Sequence, residues 1–196
     1  MRLLVACEES AVVREAFAAR GHDAWSCDIL PSAIPGNHIQ GNVLDHRVVH
    51  RGWDMMIAHP DCTFLTVSAN AYAGEEWRME ARLAAMHFVR SLWAFPIEKI
   101  GIEQPIGVLS TFWKRPTQII QPWQYGDDAS KATCLWLKNL PPLEPTKVLA
   151  GGGRVRRANQ TTSGQNKLGP SPTRKRDRAR TYEGDCARHG RAMGIN

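Results

Sequence analysis

The sequence predicts an α/β fold with a mostly parallel sheet, and three features of its pattern carry that prediction. Short runs such as Leu3-Leu4-Val5-Ala6 are apolar at consecutive positions, as a strand covered on both faces requires. Residues 75–93 place Met79, Leu83, Met86, Val89, Leu92 and Trp93 close to the 3.6-residue period of an amphipathic helix. Strand-like and helix-like segments alternate, which implies parallel strands joined by right-handed crossovers.

The elements follow in order. After the first strand, Ser10 is placed to cap a helix through Ala19, with Gly21 ending it. A second strand over 22–27 stops at Asp28, and the Pro/Gly/Asn-rich stretch 31–41 reads as loop. Val43-Leu44 is a short third strand, and residues 53–58 a fourth that ends at His59-Pro60-Asp61-Cys62. The long helix over 75–93 leads to a strand over 97–103, terminated by Gln104-Pro105, and a last strand spans 133–137. Beyond Asn139 the prolines multiply, Gly151-Gly152-Gly153 appears and apolar periodicity fades. We therefore divide the chain into an α/β unit over 1–138 and an irregular basic extension over 139–196, which packs on that unit or contacts nucleic acid.

Composition narrows the classes. With 196 residues, 43% apolar and 22% charged, the chain suits one hydrophobic core. No run approaches the roughly 18 apolar residues of a spanning helix, and Met1-Arg2 leads straight into a strand-like run. The expectation is a soluble, unexported, cytoplasmic protein without a membrane partner. Cys7, Cys27, Cys62, Cys134 and Cys186 are odd in number and widely spaced, and no histidine stands at ligand spacing, which argues against a disulfide framework and a metal site. The net charge is +6, and between Arg154 and Arg191 eleven Lys/Arg face three Asp/Glu. Such asymmetry points to a polyanionic partner, with Arg154, Arg156, Arg157, Arg174, Arg176 and Arg178 as phosphate contacts. Trp113 and Trp123, near Lys114 and Arg115, are candidates for stacking on an extruded base.

Parallel sheets bind ligands beyond the carboxyl ends of their strands. Glu8, Asp28, Cys62 and Glu103 all fall there. A thiol and a carboxylate converging at one sheet edge suit cytosine chemistry. Carbon 5 of the ring becomes nucleophilic once a thiolate adds at carbon 6, and a carboxyl group at ring nitrogen 3 eases that addition. The activated ring then attacks an electrophilic methyl group.

These residues resemble the cytosine-C5 DNA methyltransferases, in particular short phage-encoded members without a large target-recognition domain. The family's Pro-Cys motif is similar to His59-Pro60-Asp61-Cys62-Thr63, and its Glu-Asn-Val motif to Glu103-Gln104-Pro105. Gln124-Tyr125-Gly126 and the run from Lys131 to Leu137 look like its Tyr-Gly turn, basic motif and adjoining strand. The resemblance covers residues 1–138 and implies a Rossmann-like, S-adenosyl-L-methionine (SAM)-dependent methyltransferase fold acting on DNA. It also implies Cys62, Glu103 and Lys131 as catalytic residues, and a cofactor site from Ala6, Cys7, Glu8, Ser10, Asp28, Ile29, Asn42, Val43, His59 and Pro60. Thr63 and Gln104 would meet the substrate. DNA, duplex or single-stranded, is the implied partner, with room for a homodimer or a separate recognition subunit. The segment 7–11 lacks the glycines usual in the family's first turn, and Asp61 stands where a second proline is usual. Two alternatives stay open: a free deoxycytidine nucleotide or RNA as substrate, and a decayed scaffold that only binds nucleic acid.

Overall fold

A computed structural model describes residues 1–67, 75–164, 166–169 and 171. Seven strands form one sheet: β1 (Arg2–Ala6), β2 (Asp23–Asp28), β3 (His38–Gln40), β4 (Met55–Ala58), β5 (Lys99–Pro105), β6 (Gln118–Ile120) and β7 (Thr133–Lys138). Their order is β3-β2-β1-β4-β5-β7-β6. Strands β1 to β5 pair in parallel, and β7 runs antiparallel to both β5 and β6. The α/β fold with a mostly parallel, Rossmann-like sheet is as the alternation of elements predicts. The chain leaves β1 toward one edge and returns at β4 toward the other, so the crevice expected at such a switch point opens beyond Ala6 and Ala58.

The consecutive apolar runs have their reason in this geometry. Side chains alternate across a strand, and both faces of the sheet are covered. Leu4, Ala6, Met56 and Ala58 join Val89, Leu92 and Trp136 on one face, beneath helix α3 (Glu76–Trp93). Leu3, Val5, Met55 and Ile57 join Val13 and Phe17 of helix α1 (Val12–Ala18) on the other. Two short helices, α2 (His46–Val49) and α4 (Leu109–Phe112), complete the described set. No helix of the described residues is long and apolar enough to cross a membrane.

Four expectations need correcting. The third strand lies at His38–Gln40, inside the stretch read as loop, because pairing with β2 outweighs its weak local pattern. Val43-Leu44 is a turn, with Val43 buried in the core. Helix α1 does not start its cap at Ser10, whose hydroxyl accepts from Val12 N only at 3.4 Å. Its cap position is Ala11, at φ 63°, and the carboxylate of Glu8 reaches the first amides, accepting from Val13 N at 2.6 Å and Arg14 N at 3.2 Å. The stripe on α3 is buried only in its second half, where Val89 and Leu92 pack, while Trp77, Met79 and Leu83 are exposed. The edge strand β6 has no counterpart among the predicted strands.

The described part of the extension is ordered against the body. Leu143 joins the core beside Leu135, and Asn159 exchanges hydrogen bonds with Ser130, accepting at 2.9 Å and donating at 3.0 Å.

Candidate active site at the ends of strands β4 and β5

The register of β4 on β5 pairs Ala58 with Ile102. One step on, His59 therefore lies beside Glu103, and Pro60 beside Gln104. Both pairs interact. His59 Nδ1 is 3.1 Å from a Glu103 carboxylate oxygen, with both side chains less than one-fifth exposed. The buried Gln104 donates its side-chain amide to the carbonyl of Pro60. The backbone of His59 also donates to Ala6 O at 2.9 Å, fastening this corner to β1.

Beyond Pro60 the chain makes the turn that carries Cys62. The Cys62 carbonyl accepts from Leu65 N at 3.0 Å and Thr66 N at 3.2 Å. The exposed Asp61 is engaged within the turn, accepting from Thr63 N at 3.0 Å and Thr63 Oγ1 at 2.7 Å. The turn is then zipped to the segment after β5, where Val108 N donates to Leu65 O at 2.9 Å. Gly107 makes this possible, because a Cβ there would lie 1.8 Å from Leu65 O. Cys62 is thus held at the same sheet edge as Glu103 by contacts on both sides of the turn.

Burial raises the pKa of three of the thiols. Burial pushes the Cys7 thiol up to about 12, with the charges of Asp28, Cys27 and Asp61 adding to it. Burial likewise lifts Cys27 to about 11 and raises Cys134. Raised in this way, these three are poor nucleophiles; Cys62 sits half-buried on its turn, as Cys7 does after β1. For His59, burial lowers the ring's pKa, but the hydrogen bond and charge of Glu103, with the charge of Glu8, outweigh burial and opposing Lys131, so the net direction is upward.

No family model and no curated protein matches this chain. One similar solved structure, from E. coli, is provisionally described as a DNA modification methyltransferase encoded within a prophage. It is 15% identical at a TM-score of 0.49, over 82% of this chain and 57% of that one. The match thus spans little more than half the length of that protein.

The remaining candidates fall into distinct places. Ala6 ends β1 in the core. Cys7 follows at φ 60°, so the first turn takes its left-handed bend without a glycine. Glu8 is buried on the amides of α1, and the Ser10 hydroxyl lies 3.4 Å from it. Asp28 ends β2 half-buried and accepts from Leu30 N at 2.9 Å. Ile29 beside it is 74% exposed. Asn42 is exposed and, with Gly41 and Asp45, lines a cleft of about 290 Å³. Lys131, half-buried, acts on the His59 ring from the loop before β7, and its backbone donates to Gln121 Oε1 at 3.0 Å.

The basic candidates divide. Arg154 and Arg156 are exposed. Arg157 is not a surface phosphate contact: it is 5% exposed, donates to Gly152 O at 2.5 Å, lies 3.7 Å from Asp128 and covers Trp123. Arg174, Arg176 and Arg178 lie outside the described residues. Trp113 packs against Trp93 and Trp136, and Trp123 lies against Gly152 and Gly153, so both serve packing. The His59–Glu103 hydrogen bond goes beyond what the sequence implies for His59, a cofactor contact or a proton shuttle or phosphate contact beside the turn. Its signal was available in the shared position of the two residues, one at the end of each neighbouring strand.

Proposed function

We propose that this protein transfers a methyl group from SAM to carbon 5 of cytosine in DNA through a covalent adduct on Cys62. The observation that carries the reading is the β4–β5 register, which brings the Cys62 turn and Glu103 to one edge and ties them through His59 and Gln104. Cys62 would add to carbon 6 of the ring, while Glu103 would meet ring nitrogen 3. Thr63 would meet the substrate from the same turn, and Gln104 from the end of β5. Lys131, Arg154 and Arg156 would meet phosphate.

The cofactor side fits a nucleoside. Asp28 offers a carboxylate at the end of β2, suited to two ribose hydroxyls, and the exposed Ile29 gives an apolar surface for a purine. Asn42, after β3, would offer polar atoms to the base edge. Bound there, SAM supplies a methyl group on a sulfonium, electrophilic enough for the activated ring. Glu8 is committed to the N-terminus of α1 and would act on the donor only through that helix.

The test is mass spectrometry of nucleosides from the DNA of cells expressing the protein, with calorimetry against SAM. The expected result is 5-methylcytosine that disappears in Cys62→Ala while SAM affinity stays within about twofold. An active alanine variant would overturn the mechanism. Absent SAM binding with salt-sensitive DNA binding would favour a scaffold that only binds nucleic acid.

A further inference from the structure

The geometry around Glu103 points beyond the two residues of the proposed reaction. A carboxylate that is to meet a ring nitrogen must carry a proton or be able to receive one, and a lone Asp or Glu is largely ionised near neutrality. In this protein Glu103 is not alone. Its Oε2 faces His59 Nδ1 at 3.1 Å, and both groups are largely withdrawn from water. The opposite ring nitrogen of His59, Nε2, is buried and has no hydrogen-bond partner among the described residues. The ring is therefore anchored on one side only, by Glu103, with its backbone fixed to β1. The charged groups acting on it are Glu103 from β5, Glu8 from the turn after β1, and Lys131 from the loop before β7. Burial opposes a charge on the ring, but the two acids outweigh it and Lys131 and favour a proton on Nδ1, placed to donate toward the carboxylate.

We propose that His59 is the positioning residue of Glu103, orienting its carboxyl group and holding the proton that Glu103 delivers to the pyrimidine. This inference rests on the cytosine chemistry proposed above. In the adduct-forming step the Cys62 thiolate's electron pair forms the S–C6 bond and the C5–C6 π pair moves to C4–C5. The C4–N3 π pair then settles on nitrogen 3. The proton passes from His59 Nδ1 to the Glu103 carboxylate and from that carboxyl to nitrogen 3, leaving a neutral imidazole and an ionised Glu103. Reversal returns the proton to the pair, and carbon 5 can exchange its hydrogen with water while the adduct exists. No methyl donor is needed for that exchange.

The test uses the full chain without donor. First, nuclear magnetic resonance of ring-labelled histidine follows the His59 titration in the wild type and in Glu103→Gln. The expected result is an upward-shifted titration that falls in the variant. Second, tritium release from an oligodeoxynucleotide carrying 5-tritiated cytosine is measured against pH in the wild type and in His59→Asn. Asparagine keeps an N–H toward Glu103 but cannot titrate. Release should fall in the wild type as pH rises through the His59 titration, whereas His59→Asn should be roughly 100-fold slower and lack that limb. An ordinary His59 titration indifferent to Glu103→Gln, or a His59→Asn profile identical to the wild type, would overturn the proposal. A paired titration in a wild-type protein that releases no tritium counts against the cytosine reading, while the pairing stands on the titration.

Discussion

The guanidinium of Arg14 donates to the carbonyl of Ile34 at 3.0 Å, tying helix α1 to the loop that leaves β2. Arg14 is 1% exposed and also donates to Ser26, Ser32 and Pro35, with Glu15 as its ionic partner at 2.9 Å. The loop it gathers begins at Ile29, beside Asp28. Replacing Arg14 with Met keeps the apolar stem and removes every one of these donors. Arg14→Met should cost about 3 kcal/mol, because the buried Ser26 and three part-buried acceptors lose this donor together, or roughly 6–12 °C in Tm for a chain of this size. Nucleoside affinity should weaken with it. Thermal unfolding and SAM calorimetry check both.

The His59–Glu103 pair gives stability a pH dependence with a definite sign. The folded His59 has a pKa above its unfolded value, so the contribution is fully present below the unfolded pKa of about 6.5. It is lost as pH rises through the folded value. The wild-type Tm should therefore decline over that window more steeply than that of Glu103→Gln, which has lost the partner. Parallel Tm-versus-pH curves for the two proteins are the measurement, and superimposable slopes would contradict the pairing.

Much of this architecture is legible in the chain because burial on both faces leaves a strong mark. Leu3 to Ala6 and Met55 to Ala58 could hardly be anything but covered strands, and the chemistry follows from what comes directly after such strands. His38–Gln40 and Gln118–Ile120 were unreadable for the opposite reason. Each is three residues long, at an edge, and owes its conformation to a neighbour rather than to its own pattern. The cap of α1 was misread because a serine beside a helix is the usual donor-satisfying group, whereas here Glu8 reaches in from five residues before Val13. Arg157 shows the limit of charge patterns: composition cannot tell an arginine that faces solvent from one that closes over Trp123.

That difference between arginines is measurable. Arg157→Ala removes a buried donor set and should lower stability by about 2 kcal/mol, without being repaired by low salt. Arg154→Ala and Arg156→Ala remove exposed charges and should leave Tm within about 1 °C. For DNA binding the ranking reverses. Each exposed substitution should weaken binding to all sequences alike and reduce the slope of log affinity against log salt by about 1. Titrations over a salt series with one oligonucleotide, set beside unfolding curves, separate the two roles.

The closest backbone approach in the candidate site predicts the most specific failure. Gly107 lets the carbonyl of Leu65 sit where a side chain would otherwise be, and Leu65 is three residues from the thiol. A methyl group at 107 would meet that oxygen at 1.8 Å, so the Cys62 turn must move by more than 1 Å or the segment after β5 must yield. The three atoms nearest that methyl group belong to Leu65 and Thr66, outside β4 and β5. Gly107→Ala should therefore fold, with a stability loss of about 1–3 kcal/mol from overpacking. Adduct formation depends on the sulfur reaching carbon 6, and a displacement near 1 Å costs roughly 100-fold. Covalent capture by an oligodeoxynucleotide carrying 5-fluorocytosine, with SAM present, reads the sulfur's position, and circular dichroism reads the fold. A Gly107→Ala protein that is folded and captured at the wild-type rate would show that the turn is not held in place by this contact.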